Sequence, residues 1–264
     1  HVCRGITYYE NLSNNSFIFY GVGSKLFKIN TIDGKPDEEF GNSGFIDLHV
    51  GLGENSSSLY VSMTSPGVIF KNLIIVGSRV SEGNPAAKGN IRAFNANTGE
   101  LVWVFKTIPE PEEKGYESYE DPNAYLRLGG ANAWSGLTID SKNGILFAPT
   151  GSVSYDFYGG DRKGDNLFAN SILAINAESG ERLWHYQTVH HDVWDRDLPA
   201  PPVIFNYKLK DSVIPALAQV TKSGYTFLLN RITGEPIYDI VERTVPSVSS
   251  LTGEKLSKTQ PTPT

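Results

Sequence analysis

Short runs of alternating apolar and polar residues recur along the whole chain, broken by Gly, Asn, Asp and Pro, and they predict strands joined by turns. Four of these runs share one pattern: a short strand, an Asn, three residues, a Gly, then a second strand. They are Leu26-Phe27-Lys28-Ile29-Asn30 with Gly34, Ile91-Arg92-Ala93-Phe94-Asn95 with Gly99, Ile172-Leu173-Ala174-Ile175-Asn176 with Gly180, and Phe227-Leu228-Leu229-Asn230 with Gly234. Turn chemistry explains the spacing. The Asn side chain bonds to the backbone where the turn starts, and the Gly takes the positive-φ position that closes a hairpin with a bulge. In the second and third copies a Trp follows the Gly by four positions, Trp103 and Trp184, and Tyr238 holds that place in the fourth. A further strand pair precedes most copies, for example residues 67–70 with 73–77 and 136–140 with 145–149.

The repeats stand at uneven intervals, never closer than about four strands would need. A rigid solenoid would repeat more evenly. The pattern suits an all-β fold, a β-propeller whose blades carry long inserted loops. A β-sandwich with coincidental turns is the alternative. The loops are too polar and too specific to be spacers. Residues 116–130 are acidic and aromatic, 152–169 are rich in Gly, Asp and Tyr, and 190–202 hold two His, three Asp, a Trp and three Pro. On a propeller, functional residues belong in such loops at one mouth of the central channel. The run Asp161-Arg162-Lys163-Gly164-Asp165 reads as a solvated loop. The adjacent His190 and His191 point to opposite sides of an extended chain, so they suit loop structure better than chelation of one metal.

Composition narrows the function. The chain has 264 residues, 39% hydrophobic and 20% charged, with 26 Gly, 15 Pro, 13 Tyr and 13 Phe. A formal net charge of −6 offers no basic surplus for nucleic acid or an anionic membrane. No apolar run of roughly 18 residues is present, so no membrane-spanning helix is expected here. The single cysteine, Cys3, allows neither an internal disulfide nor a cysteine metal cluster. The chain opens on His1 and closes in a polar, Pro-rich stretch. It reads as a piece of a longer product, with residues 1–264 forming part of one domain.

The repeat with its trailing Trp resembles the tryptophan-docking motif of dehydrogenases that depend on pyrroloquinoline quinone (PQQ). In that family the Trp packs between neighbouring blades. The stretch His190-His191-Asp192-Val193-Trp194-Asp195-Arg196-Asp197-Leu198-Pro199-Ala200-Pro201-Pro202 looks very like the active-site segment of the membrane-bound glucose dehydrogenase branch. Cys3-Arg4-Gly5, Gly77-Ser78-Arg79-Val80-Ser81-Glu82-Gly83, Asn132-Ala133-Trp134, Phe168-Ala169-Asn170-Ser171 and Thr259-Gln260-Pro261 fit the same branch. The resemblance runs the length of the chain. It implies four to five blades, about half of an eight-bladed catalytic domain, facing the periplasm.

The implied activity is oxidation of an alcohol group of a sugar or polyol, with electrons passed to a quinone or a cytochrome haem. Such chemistry needs a base, a Lewis acid and an electron sink. Asp195 matches the family's catalytic aspartate, and Lys222, in Thr221-Lys222-Ser223-Gly224, matches the lysine at the quinone oxygens. On spacing alone, Asp195 capping a turn and Lys222 as a solvated side chain are the plainer readings. Trp134 matches the Trp on which PQQ stacks; otherwise it is a core Trp on a strand. Arg4 matches an arginine near the cofactor's carboxylates, a pairing that suits guanidinium, and His1 matches a neighbouring histidine with a one-residue offset. For the Ca²⁺ ion, or Mg²⁺ in its place, Glu82 and Asp195 are the expected ligands beside oxygens from PQQ. Glu82 is also readable as a solvated turn residue. The asparagine that related alcohol dehydrogenases carry after a Thr-Gly pair is replaced in Thr150-Gly151-Ser152. Methanol-type activity is disfavoured because that branch uses an adjacent-cysteine disulfide. A non-catalytic propeller, scaffold or assembly factor, is the competing function; quinate-type substrates stay open.

Overall fold

The computed structural model describes residues 4–264. Four antiparallel sheets follow one another along the chain. The first pairs β1 (Thr7–Glu10), β2 (Ser16–Val22), β3 (Lys25–Asn30) and β4 (Phe45–Asp47) in sequence order. After the short β5 (Val61–Ser62), the second sheet holds β6 (Val68–Phe70) and β7 (Leu73–Val76). The chain then leaves through β8 (Arg79–Val80), which pairs with β5, and returns as β9 (Ile91–Asn95) and β10 (Leu101–Phe105). A four-residue α-helix, α1 (Ala124–Arg127), interrupts the next loop. The third sheet is β11 (Thr138–Asp140), β12 (Ile145–Pro149), β13 (Ser171–Asn176) and β14 (Arg182–Gln187). The fourth is three-stranded, β15 (Val203–Leu209), β16 (Ser212–Val220) and β17 (Thr226–Asn230), and a hairpin of β18 (Ile240–Thr244) and β19 (Thr259–Pro263) follows.

Burial decides between propeller and sandwich. A sandwich buries one face of each strand and alternates. Here β7, β12 and the first four residues of β9 are buried at every position, as are the first five of β13. Each central strand is therefore covered on both faces, as in blades packed face to face around an axis. The core accordingly sits between blades. Phe19, Leu26 and Ile46 of the first pack on Ile74, Val76 and Phe94 of the second. Ile75, Ile91 and Trp103 meet Leu146, Leu173 and Ile175. Phe147, Ile172 and Trp184 meet Leu217, Phe227 and Leu229.

The Asn-to-Gly turns form as their chemistry requires. The Asn30, Asn95, Asn176 and Asn230 side chains each accept the amide two residues on, at 2.8–2.9 Å. Gly34, Gly99, Gly180 and Gly234 lie at φ +71 to +79° and donate back to the same Asn carbonyls. The strand register slips beside the turns at Leu101 and at Ala174. Trp103 of the second blade lies on the Gly180 turn of the third, its Nε1 donating to the Ala177 carbonyl at 3.2 Å. Trp184 repeats this on Gly234, donating to the Arg231 carbonyl at 3.2 Å. Tyr238 instead meets the Tyr207 ring on β15.

One expectation fails. Arg162 is not on a solvated loop but among the most buried side chains. Its guanidinium donates to the Tyr155 and Asp192 carbonyls and the Asn166 amide oxygen, which compensates a charge that burial would otherwise penalise.

Candidate active site

In an up-and-down sheet, successive connections alternate between two ends. The Asn-to-Gly turns β3–β4, β9–β10 and β13–β14 fall at one end of their sheets. The connections β7–β9, β10–β11, β12–β13, β14–β15 and β16–β17 fall at the other, and all but the five-residue β16–β17 turn are long polar loops. These connections, with the segments before β1 and before β6, supply the walls of one cleft. Arg4, Glu82, Trp134, Asp195 and Lys222 all line it, although up to 218 positions separate them in sequence. His1 lies outside the described residues.

Trp134 is the centre of this arrangement. Its indole N–H donates to Asp197 Oδ2 at 2.8 Å, and the Thr64 and Ser65 hydroxyls donate to its carbonyl at 3.2 and 2.8 Å. Two cations stand near the ring: the Arg4 guanidinium 5.3 Å and the Lys222 ammonium 5.9 Å from its centroid. Half-buried indole with two fixed cations around it suits a flat polyanion, which stacks on the ring and pairs its carboxylates with the charges.

Lys222 Nζ donates to Asp195 Oδ1 at 2.8 Å. Burial pulls the Lys222 ammonium down, but the Asp195 bond and the charges of Asp197, Asp195 and Asp192 outweigh it and hold its pKa above the usual lysine value. Asp195 sits at φ +52°, a left-handed conformation rare outside Gly, Asn and Asp. Asp197 is almost wholly enclosed. Burial raises its carboxyl and Asp195 adds to this, against the opposing Lys222 charge, the Ser152 amide (2.6 Å to Oδ1) and the Trp134 indole. Gly151 admits this carboxylate, because a Cβ there would stand 2.7 Å from it.

Asp156, unforeseen in the sequence, also lines the cleft. It is buried, and no hydrogen bond to its carboxylate is found among the described residues. Burial and then the charges of Asp197, Asp195 and Glu82 push its pKa up to about 8, against Arg162. Four carboxylates thus face three cations, Arg4, Arg79 and Lys222. With Asp156 protonated below about pH 8 the charges nearly balance, and a divalent cation entering the cleft would have to displace that proton. Among the described residues, no three His, Cys, Asp or Glu side chains lie close enough to hold one unaided. Glu82 is exposed and paired with Arg79 at 3.2 Å, and the Ser152 hydroxyl, at the place of the missing asparagine, is taken by Asp192. An ion here would need oxygens from a bound ligand as well.

The two histidines brace the loops. His190 Nδ1 and Nε2 lie 2.7 and 3.0 Å from Gln187 and Glu242, and its backbone pairs with the Gln260 amide. His191 Nδ1 bonds the Gly164 carbonyl at 2.7 Å. Asp156 and Asp197 were not distinguishable in the sequence; the second Asp of Trp194-Asp195-Arg196-Asp197 was the available signal.

Comparison with known proteins places the chain in a family and a fold. The family model described as "PQQ: Glucose/ethanol/alcohol dehydrogenase, beta-propeller domain" matches residues 1–264. The chain is 36% identical over 245 residues to a quinate/shikimate dehydrogenase (quinone) of Acinetobacter baylyi, covering 91% of this chain and 30% of that protein. It is 33% identical over 291 residues to quinoprotein glucose dehydrogenase A of Acinetobacter calcoaceticus, covering 98% and 35%. The crystal structure of a quinohemoprotein alcohol dehydrogenase from Comamonas testosteroni shares the fold, with TM-score 0.75 and 23% identity over 99% of this chain and 38% of that one. The chain spans about a third of the length of these curated relatives.

Proposed function

This chain belongs to the PQQ glucose/ethanol/alcohol dehydrogenase β-propeller family, and on that premise we propose that it forms one wall of the active site of a PQQ-dependent dehydrogenase acting on an alcohol group of a sugar or polyol. The observation that carries this is the convergence of Arg4, Trp134, Asp195 and Lys222 on one cleft. When bound, PQQ would supply the electron sink for oxidation of the alcohol. Trp134 offers it a flat apolar face, Arg4 pairs with carboxylate, and Lys222 places positive charge where reduction builds negative charge. Asp195 takes the hydroxyl proton of the substrate. Its Oδ1 is held by Lys222, which leaves the second oxygen to face the substrate. Glu82 and Asp195 would hold Ca²⁺, or Mg²⁺, together with ligand oxygens, the ion polarising the reacting groups.

The named relatives act on glucose and on quinate or shikimate, so cyclic polyhydroxy compounds are the first substrates to test. Electrons would leave to a quinone or haem acceptor, on the periplasmic side. Among the described residues no helix is long and apolar enough to cross a membrane. A scaffold propeller, the other function the repeats allow, has no use for a half-buried indole between two cations.

The test is a titration of the protein with PQQ and Ca²⁺, followed by tryptophan fluorescence and by dye reduction with glucose and quinate. Saturable quenching, with dye reduction that Asp195→Asn lowers to a small residual rate, is the expected result. Absence of saturable quenching in the full-length protein would refute the assignment.

A further inference from the structure

Three aspartates, Asp192, Asp195 and Asp197, stand within six residues of one loop, and only one has been given chemistry. Asp192 is buried. Its Oδ1 accepts the Trp194 amide at 2.9 Å and its Oδ2 the Arg196 amide at 2.6 Å. A single carboxylate therefore ties the amides of the residues on both sides of Asp195. Between these ties Asp195 adopts its left-handed φ of +52°. Asp192 is itself anchored. Oδ2 also accepts the Asn170 side-chain amide at 3.0 Å and the Ser152 hydroxyl, and the buried Arg162 donates to the Asp192 carbonyl.

The same Ser152 reaches the other half of the cleft. Its amide donates to Asp197 Oδ1, and Asp197 Oδ2 holds the Trp134 indole. An unbroken chain of hydrogen bonds thus runs from the backbone flanking Asp195, through Asp192, Ser152 and Asp197, to Trp134. It fixes the carboxylate of Asp195 relative to the indole face, although the two residues share no direct bond. The links from Asp192 and Asp197 are hydrogen bonds to carboxylates in a buried setting, where they are strong and costly to break.

We propose that Asp192 is a positioning residue: it folds the loop that presents Asp195 to the cleft and, through Ser152 and Asp197, sets the base against the Trp134 platform. This rests on Asp195 being the base, as proposed above. Asp192→Asn keeps the shape of the side chain but offers one acceptor oxygen where two amides, an Asn side chain and a hydroxyl now converge. It must release either Trp194 or Arg196. A base displaced by about 1 Å costs roughly 100-fold in rate.

The test uses the full-length PQQ- and Ca²⁺-loaded enzyme in four forms: wild type, Asp192→Asn, Asp195→Asn and the double variant. The expected result is a fall in kcat of roughly 100-fold for Asp192→Asn, with KM and PQQ affinity within about threefold of wild type. In the Asp195→Asn background the same change should lower the residual rate by less than about threefold, because a residue acting only through Asp195 has nothing left to act on. In the cofactor-free protein, hydrogen exchange of the segment carrying Trp194 and Arg196 should accelerate while the blade strands stay protected. Wild-type kcat in Asp192→Asn, equal losses in both backgrounds, or unchanged exchange of that segment would each overturn the proposal. If Asp192→Asn does not fold, Ser152→Ala decides: it removes one hydroxyl and should cost roughly tenfold in kcat with PQQ affinity kept, whereas wild-type kcat overturns the positioning chain. Full turnover by Asp195→Asn alone would overturn the base assignment, a failure visible without any Asp192 variant.

Discussion

Replacing Gly180 with Ala probes the joint between blades. Gly180 lies at φ +79°, and a Cβ there would stand 2.7, 2.8 and 2.9 Å from three ring atoms of Trp103. The indole has nowhere to go: it is buried at the blade interface, and its N–H is committed to the Ala177 carbonyl. Two costs add. Left-handed backbone costs a non-glycine residue about 1–2 kcal/mol, and forcing extra volume into a packed joint costs about 1–3 kcal/mol. Gly34 isolates the first. It holds the same turn position at φ +71° with nothing within 4 Å of the added Cβ, because no Trp docks on it. Gly180→Ala should therefore be destabilised more than Gly34→Ala by about 1–3 kcal/mol. With an m-value of about 2 kcal/mol/M, that is a difference of roughly 0.5–1.5 M in the urea midpoint, read by tryptophan fluorescence. Gly234→Ala, which meets Trp184 at the same distances, should behave like Gly180→Ala. Equal midpoints for Gly34→Ala and Gly180→Ala would refute the docking of Trp103 on the neighbouring turn.

Lys222→Ala should lower kcat by about 100-fold or more through loss of the charge facing the reduced cofactor, checked by dye reduction at saturating PQQ; a kcat within twofold of wild type would contradict that role. Asp156 should shape the pH dependence of stability. Its pKa is raised to about 8 in the folded chain, so the folded state binds more protons than the unfolded one from about pH 4 to pH 8, and stability falls as pH rises through that window. Asp156→Asn should flatten this slope in the metal-free protein and raise its melting temperature at pH 8 more than at pH 5; parallel curves for the two proteins would rule the effect out.

Much of the fold was legible because it is local. Asn followed four positions on by Gly encodes a turn in its own side-chain chemistry, and the structure forms all four. The trailing Trp marks the blade joint for the same reason: glycine leaves a flat site that an indole can cover. The active site has no such local signature. Arg4, Trp134, Asp195 and Lys222 became readable together only through resemblance to a family, since the packing of successive blades, not sequence spacing, brings them to one cleft. Within the loop at residues 190–202, composition alone could not say which aspartate is chemical and which structural. That division follows from backbone conformation, with Asp192 turned inward to amides and Asp195 outward to Lys222. Arg162 was misread because its partners are mostly carbonyls and an amide, which leave no charge pattern in the sequence.

The most direct test of the account is PQQ binding to the full-length protein and to its Trp134→Ala variant, measured by calorimetry in the presence of Ca²⁺. Stacking of an aromatic ligand on the indole between Arg4 and Lys222 predicts saturable one-to-one binding by the wild type and an affinity at least about tenfold weaker in the variant. Equal affinity for both proteins, or no binding by the wild type, would contradict the placement of the cofactor in this cleft.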